Sequence, residues 1–169
     1  MVQKAIINPQ EVVNNKIITG LIDEKNQVQQ NGVDLTVSML FEVHTDEQCV
    51  LTEKERVKPK SSQIKLVYDD DFGEVYKLKA GKLYDVLFSE RIALPNDKSG
   101  MIIQRSSMNR MWAFVTTGWW DSGFKNRIGA IIRPSIDILL GKDVRIAQFV
   151  TFDSDAASLY DGVYNEKTK

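Results

Sequence analysis

The chain has 169 residues, a formal net charge of −1 and a single cysteine, Cys49. This length fits one domain with a hydrophobic core. The near-neutral net charge argues against nonspecific electrostatic binding to DNA or RNA. A single cysteine allows no disulfide within the chain. There is no signal-peptide pattern and no apolar run approaching about 18 residues. We therefore expect a cytoplasmic protein without a membrane or nucleic-acid partner, for which a small anionic ligand stays possible.

The supply of metal-binding side chains is small. The chain has one histidine, His44, beside its one cysteine, which is too few nitrogen and sulfur ligands for a zinc site within one chain. Any metal is therefore expected to be Mg²⁺ held mainly by the oxygens of a phosphate substrate. His44 falls in a strand-like region without a marked partner, so a Ser-His-Asp mechanism is not indicated. Neither of the common glycine-rich nucleotide loops occurs.

The first elements are a helix and a strand. Asn8 can cap a helix that has Pro9 at its first position and Glu11 three residues after the cap, and we expect this helix to end near Gly20. The run VDLTVSMLFEV (33–43) alternates and is rich in branched residues, which predicts a strand. Residues 54–65 are polar and basic, typical of a solvated loop or edge, and the acidic residues 68–74 predict a turn.

From Glu74 onward the chain consists of short strand-like runs separated by Gly, Pro and Asn turns. The runs are VYKLKA, KLYDVLF, ERIALP, GMIIQR, AFVTTGWW, RIGAIIRP, IDILL and RIAQFVTF. Such spacing predicts a mainly β protein, a barrel or a sandwich, with a short N-terminal helix. We expect a single domain over residues 1–169, in which the polar residues 153–169 form a mobile tail.

One segment concentrates groups that suit a phosphate. Residues 104–110, QRSSMNR, place two arginines and two serines directly after a predicted strand. Arginine offers a planar fork of donors to phosphate oxygens, and serine hydroxyls add further donors. A strand-end turn with surface arginines explains the same residues equally well.

A second segment, residues 116–125, places Trp119 and Trp120 directly before Asp121. An aspartate at a strand tip beside large apolar rings would be partly desolvated, which makes it a better proton acceptor for water. A hairpin turn in which Asp121 accepts local backbone hydrogen bonds is the alternative.

Two further segments place polar residues at strand starts, namely Asp34 in residues 32–35 and Arg145 with Gln148 in residues 145–148. Arg145 and Gln148 are three residues apart, so they share a strand face only if a bulge intervenes or at the strand edge.

Taken together and in this order, the four segments resemble the superfamily of trimeric dUTP diphosphatases and dCTP deaminases. The segments are NGVDL (31–35), QRSSMNR (104–110), GWWDSGF (118–124) and GKDVRIAQF (141–149). The N-terminal region and the tail LYDGVYNE extend the resemblance over most of the chain. It implies a distorted β-barrel and a homotrimer whose active sites are shared between subunits. It also implies Mg²⁺-dependent hydrolysis of dUTP to dUMP and pyrophosphate.

The resemblance also implies roles for individual residues. Asp121 is expected to activate water for attack at the α-phosphorus, and Phe124 to pack on the deoxyribose. The backbone of residues 113–120, with Gly118, is expected to form a hairpin that reads the uracil edge. Asp34 would order a magnesium-bound water, and Arg145 and Gln148 would support either Asp34 or the attacking water. The residues expected to contact the substrate or a neighbouring subunit are Arg105, Ser106, Ser107, Arg110, Gln148, Tyr160 and Lys167.

One residue separates the two branches of the superfamily. The deaminase branch carries a glutamate ten residues after the motif aspartate, and the tenth residue after Asp121 is Ile131. Isoleucine cannot transfer a proton, so we expect a dUTP diphosphatase, with a dCTP deaminase or a bifunctional enzyme as the alternative. A non-catalytic nucleotide-binding regulator is the third possibility. The tail lacks the glycine-rich arm that closes over the phosphates in most trimeric dUTP diphosphatases. It also has Val163 where many relatives have a lysine that contacts the phosphates, so Lys167 or Lys169 would have to supply this phosphate contact.

Overall fold

The structure is a computed structural model and describes residues 5–166. It is mainly β, with 48% of residues in strands and 9% in helices, and its large sheet is curled into a half-barrel, which confirms the predicted fold class. None of the helices within residues 5–166 has the length and the apolar character needed to cross a membrane.

The helices are short and lie near the ends of strands. They are α1 (Pro9–Asn14), α2 (Glu24–Gln27) and α3 (Ser106–Arg110). The α1 start is as predicted, because the Asn8 side chain accepts a hydrogen bond from the Gln10 backbone N–H at 2.9 Å. The helix ends at Asn14, earlier than the predicted Gly20. The chain reverses there, with Lys16 at a φ of 57°, and Ile18 then enters the sheet.

Fourteen strands follow one another within residues 5–166. They are β1 (Ile18–Thr19), β2 (Val33–Val43), β3 (Val50–Leu51), β4 (Arg56–Val57), β5 (Ser61–Ile64), β6 (Val67–Asp69), β7 (Gly73–Leu78), β8 (Tyr84–Ala93), β9 (Lys98–Gln104), β10 (Ala113–Val115), β11 (Gly118–Trp120), β12 (Lys125–Pro134), β13 (Ile138–Gly141) and β14 (Arg145–Asp153). The large sheet has the order β10-β12-β8-β2-β14-β9-β11, with β1 beside β8 and β5 beside β2. Two small sheets, β13-β7-β6 and β3-β4, complete the fold.

The large sheet curls because its two edge strands are neighbours in the chain. Strand β10 forms one edge and β11 the other, and only Thr116 and Thr117 separate them. Two residues span at most about 10 Å, so the edges must approach each other. The predicted single strand and hairpin over 113–120 are therefore wrong, because this segment splits into two strands that pair with different neighbours, β12 and β9.

Register shifts interrupt the pairing of the long strands. The β2–β8 register shifts between Val37 and Met39, and the β12–β8 register shifts between Arg127 and Gly129. A Cβ on Gly129 would lie 2.5 Å from the Val86 carbonyl oxygen, so only glycine fits at this close approach. Bulges increase strand twist locally, which is consistent with the curled sheet.

The core fills the concave side of this sheet. Strand β8 shows the pattern well, since its alternate residues Tyr84, Val86, Phe88, Glu90 and Ile92 are all buried. The two predicted strands KLYDVLF and ERIALP are thus one strand. Glu90, the first residue of the second run, is buried on the same face because its carboxylate accepts hydrogen bonds inside the core.

Candidate active site

The polar residues expected from the sequence form two separate groups. The first, here called the Asp34 cluster, consists of Asp34, Arg105, Arg145 and Gln148. The Asp34 Oδ2 atom lies 3.2 Å from Arg105 Nε and 3.1 Å from Arg145 Nη1, and Gln148 Nε2 donates to Oδ1 at 3.2 Å. The Arg105 guanidinium also donates to the Arg145 carbonyl oxygen at 3.1 Å. One carboxylate thus holds two guanidinium groups and an amide in fixed positions.

Strand register explains why these residues meet. Gln148 lies directly opposite Asp34 in the antiparallel β2–β14 pair. The register shifts between Arg145 and Ala147, and this bulge brings Arg145 to the Asp34 carboxylate although it lies three residues from Gln148. From the sequence, Arg145 and Gln148 need a bulge or a strand edge to share a strand face, and the structure has this bulge. Arg105 reaches the cluster from the end of β9, the strand on the other side of β14.

Asp34 is only 1% exposed. Burial raises the pKa of the Asp34 carboxyl above its ordinary value, while Arg105, Gln148 and Arg145 oppose this effect. Both of its oxygens already accept from these donors. The predicted role of Asp34 in ordering a magnesium-bound water stays a prediction. The position of Asp34 suits a residue that orients Arg105 and Arg145.

The residues after Arg105 form the short helix α3 beside this cluster. Ser106, Ser107 and Arg110 are exposed, and Met108 between them is buried and anchors the helix. Sequence and structure agree that this segment presents two hydroxyl groups and a guanidinium to solvent, next to the guanidinium that Asp34 holds.

The second group surrounds a cavity of about 400 Å³, here called the Asp121 cavity. It is lined by Trp119, Trp120, Asp121, Phe124, Asn126, Arg127, Ile128, Gly129, Tyr160 and Tyr164. Asp121 begins a tight turn in which its carbonyl oxygen accepts from the Phe124 N–H at 3.1 Å, and Gly123 supplies the required positive φ of 85°. The cavity combines a carboxylate, aromatic walls and an arginine.

The tryptophans before Asp121 pack differently from the sequence expectation. Trp119 stacks on Phe152 with ring centroids 5.6 Å apart, and Trp120 meets Phe149 edge-on at 6.0 Å. Asp121 itself is exposed in the chain, so the predicted desolvation by these rings is wrong for the single chain. Gly118 admits the Trp120 ring, since a Cβ there would lie 2.8 Å from it. Gly118 thus has a packing role in addition to the base contact expected for its backbone.

Phe124 is buried and its ring contacts Tyr160 at a centroid distance of 5.3 Å. The Tyr160 N–H donates to the Ser122 carbonyl oxygen at 2.8 Å, and Asn165 accepts from the Lys125 N–H at 2.6 Å. The tail therefore folds back along the turn that carries Asp121. Its predicted mobility stays a prediction, and Lys167 lies outside the described residues.

The two groups lie at opposite ends of β9. Trp120 is paired with Gly100, which places Asp121 level with Ser99, whereas Arg105 lies six residues further along. At about 3.3 Å per residue this separation is about 20 Å. Within one chain the structure brings together Asp34, Arg105, Arg145 and Gln148, and separately Asp121, Phe124 and Tyr160, but it does not join the two groups.

Sequence reasoning missed five residues that line the Asp121 cavity, of which Asn126, Arg127 and Tyr164 are polar and Ile128 and Gly129 are not. A usable signal was the alternation along β12, which puts Arg127, Gly129 and Ile131 on one face of the sheet. Ile131 itself is half-buried in the middle of β12, and its partner across the strand pair is Asp85.

The comparison with solved structures defines the fold class. The dCTP deaminase from Agrobacterium tumefaciens superposes with a TM-score of 0.69 over 89% of this chain at 17% sequence identity. The chain spans 47% of the length of that deaminase chain. The curled sheet with its peripheral small sheets is therefore the fold that this deaminase also has.

The family follows from the sequence comparison. A family model described as dCTP deaminase-like matches residues 3–154, and the chain belongs to this family. Relatives include a probable deoxyuridine 5′-triphosphate nucleotidohydrolase of Methanosarcina acetivorans, 29% identical over 90% of this chain and 90% of its own. The deoxyuridine 5′-triphosphate nucleotidohydrolase of Methanocaldococcus jannaschii is 29% identical over 83% of this chain and 88% of its own. The membership expected from the four motifs is confirmed.

Proposed function

We propose that this protein is a dUTP diphosphatase, which hydrolyses dUTP to dUMP and pyrophosphate. The observation that carries the proposal is a contrast between two positions. Asp121 stands in an aromatic-walled cavity, whereas Ile131 occupies the β12 position at which a deaminase of this family would need a glutamate. The names of the archaeal relatives support the hydrolase, since both are nucleotidohydrolases acting on deoxyuridine triphosphate.

In the proposed reaction Asp121 accepts a proton from a water molecule, whose oxygen attacks the α-phosphorus. The bond between the α-phosphorus and the oxygen bridging to the β-phosphorus breaks, and pyrophosphate leaves with the electron pair. Phe124 and Tyr160 form an apolar wall on which the deoxyribose packs. The exposure of Asp121 in the single chain means that substrate, the tail or a neighbouring copy completes its environment.

We propose that the active site is shared between copies of the chain in a homotrimer. The support is the separation of about 20 Å between the Asp121 turn and Arg105 along β9, since a strand fixes that distance. No side-chain rotation within one chain brings the phosphate donors of residues 105–110 to the Asp121 cavity. A neighbouring copy would supply Arg105, Ser106, Ser107 and Arg110, held in place by the Asp34 cluster.

Magnesium enters this proposal as part of the substrate. Residues 5–166 contain no group of three His, Cys, Asp or Glu side chains that could hold a metal ion, and Asp34 is committed to its arginines. A magnesium complex of dUTP carries the metal on its own phosphate oxygens, where it offsets the charge of the triphosphate. The protein residues then bind and orient that complex.

A deaminase is the second candidate function, and one observation favours it. Asp85 lies directly across from Ile131 on the neighbouring strand and on the same face of the sheet, so an acid is present one strand away from the deaminase position. Its side chain is shorter than glutamate and starts from a different strand. We expect no deamination of dCTP at a rate comparable with dUTP cleavage.

The decisive experiment compares the native chain with Asp121→Asn in a panel of deoxynucleoside triphosphates with magnesium, measuring pyrophosphate and ammonia. The matched control is Asp71→Asn, an exposed aspartate in the β6–β7 turn. We expect dUTP cleavage to fall at least about a thousandfold in Asp121→Asn, with dUTP binding retained and the control unchanged. Binding without turnover in the native chain would instead indicate a nucleotide-binding regulator, and ammonia release from dCTP would indicate the deaminase.

A further inference from the structure

Among residues 5–166, Arg127 is the one cation in the lining of the Asp121 cavity. It lies on β12, is half-buried and shares the cavity wall with Phe124 and Tyr160. Its backbone N–H donates to Asn126 Oδ1 at 2.7 Å. Its guanidinium makes no ion pair or hydrogen bond to any side chain or carbonyl within the part of the chain that the structure describes. A half-buried guanidinium with unused donors beside the proposed base is in a position to bind a ligand.

Further positive charges lie near Arg127, whereas Asp121 is the carboxylate that lines the same cavity. Arg127 lies directly opposite Arg91 in the β12–β8 pair, and like charges at directly opposed positions of a sheet repel. The Glu166 carboxylate pairs with Arg91 and not with Arg127. At the tail side of the cavity, Lys58 Nζ lies 4.5 Å from the centroid of the Tyr164 ring, and this adds a further positive charge. An anionic ligand in the cavity would relieve the repulsion.

The cavity position identifies which part of the nucleotide Arg127 would meet. The water that Asp121 activates must lie within hydrogen-bond distance of the carboxylate and about 3–3.5 Å from the α-phosphorus. The α-phosphate therefore lies in or at the mouth of the Asp121 cavity, which Arg127 also lines. A planar guanidinium can donate two parallel hydrogen bonds to two oxygens of one phosphate, a geometry that lysine lacks.

We propose that Arg127 binds the α-phosphate of the nucleotide in the Asp121 cavity. This inference rests on the proposed function, and it adds a phosphate contact from the same chain as the general base. The residues of α3 and Arg105 would approach the triphosphate from another copy. Arg127 would fix the reacting phosphorus relative to the Asp121 carboxylate and offset the negative charge that develops on the α-phosphate oxygens.

The test uses the full chain with Arg127→Gln, Arg127→Lys and the control Arg133→Gln. Arg133 lies on the same strand and the same face as Arg127 but is exposed at the far end of β12. The probes are deoxyuridine, which has no phosphate, and dUMP, which has only the α-phosphate. Their dissociation constants are measured by inhibition of dUTP hydrolysis, and thermal unfolding is measured without ligand.

We expect Arg127→Gln to weaken dUMP binding about 10- to 100-fold and to change deoxyuridine binding less than twofold. Arg127→Lys should recover part of the loss, and Arg133→Gln should bind both probes as the native chain does. Without ligand, Arg127→Gln should unfold at the same temperature as the native chain or higher, because one of two facing arginines is gone.

Equal weakening of dUMP and deoxyuridine would overturn the proposal in favour of a nucleoside contact. Unchanged dUMP binding in Arg127→Gln, or an equal loss in Arg133→Gln, would overturn it as well. These results leave dUTP hydrolysis by the native chain intact. Absence of hydrolysis in the native chain would instead remove the proposed function, and the Arg127 contact with it, so the two failures are distinguishable.

Discussion

Glu90 offers a direct test of how the core is held together, because it is a fully buried carboxylate without a cationic partner among residues 5–166. Its oxygens accept from Gln27 Nε2 at 2.6 Å, from the Thr36 hydroxyl at 2.7 Å and from the Thr36 N–H at 3.0 Å. Gln27 Nε2 also donates to the Asp34 carbonyl oxygen at 2.9 Å. The network thus links α2 and β8 to the strand that carries Asp34.

The substitution Glu90→Ala removes the acceptor of three hydrogen bonds. Gln27 keeps its bond to the Asp34 carbonyl oxygen, so the main loss falls on the two Thr36 donors, which are buried with 3% exposure. Leaving two buried donors unsatisfied costs about 1–3 kcal/mol each, and the vacated volume adds to this loss. We expect a loss of about 3–5 kcal/mol in the free energy of unfolding. This corresponds to about 6–20 °C in melting temperature for a domain of this size.

The same residue sets the sign of a pH effect. Burial raises the pKa of the Glu90 carboxyl above its ordinary value of 4.5, against the opposing hydrogen bonds from Thr36 and Gln27. The folded state therefore binds this proton more tightly than the unfolded state does. The contribution is fully present below pH 4.5 and is lost as the pH rises through the raised pKa. Glu90→Gln keeps the volume and removes this titration.

Urea unfolding measured at several pH values from 4 upward checks both parts of this reasoning. The native chain should show a component of stability that declines with rising pH, and this component should be absent from Glu90→Gln. A loss below about 1 kcal/mol in Glu90→Ala would refute the account of the hydrogen-bond network. The same pH dependence in the native chain and in Glu90→Gln would refute the assignment of the titration to Glu90.

Two further predictions concern the Asp34 cluster and the packing under the Asp121 turn. Asp34→Asn should change the free energy of unfolding by less than about 2 kcal/mol, because the desolvation that raises the Asp34 pKa offsets much of the attraction to its arginines. The same variant should raise the KM for dUTP at least about tenfold, since Arg105 loses its fixed orientation; an unchanged KM would contradict this. Gly100→Ala should cost about 1–3 kcal/mol in urea unfolding, because a Cβ would lie 2.2 Å from the Phe149 ring, whereas Gly141→Ala, which meets open space, should cost less.

The sequence predicted the fold class and the family because both depend on patterns that lie along the chain. Strand β2 was predicted with its observed bounds, 33–43, since alternation and branched residues marked both ends. The Asp34 cluster was predicted in part, because a bulge was recognised as the condition for Arg145 and Gln148 to act together. Strand β8 was predicted as two runs, and the structure joins them into one strand in which the buried Glu90 has hydrogen-bond partners from β2 and α2.

The Asp34 cluster and the Asp121 cavity are separate because of the strand order in the large sheet. The order of the motifs along the sequence does not contain this information. Arg105 and Asp121 are sixteen residues apart in the chain, which alone suggests that they are close in space. The chain instead crosses from β10 at one sheet edge to β11 at the other, and β11 runs antiparallel to β9. Asp121 is thereby carried back to the start of β9, while Arg105 stays at its end. Strand β9 holds the proposed base and the proposed phosphate donors about 20 Å apart, and the proposal that copies of the chain share the site rests on this sheet geometry. Arg127, which comes from the next strand after the turn, is then the arginine best placed to reach the substrate from the same chain as Asp121.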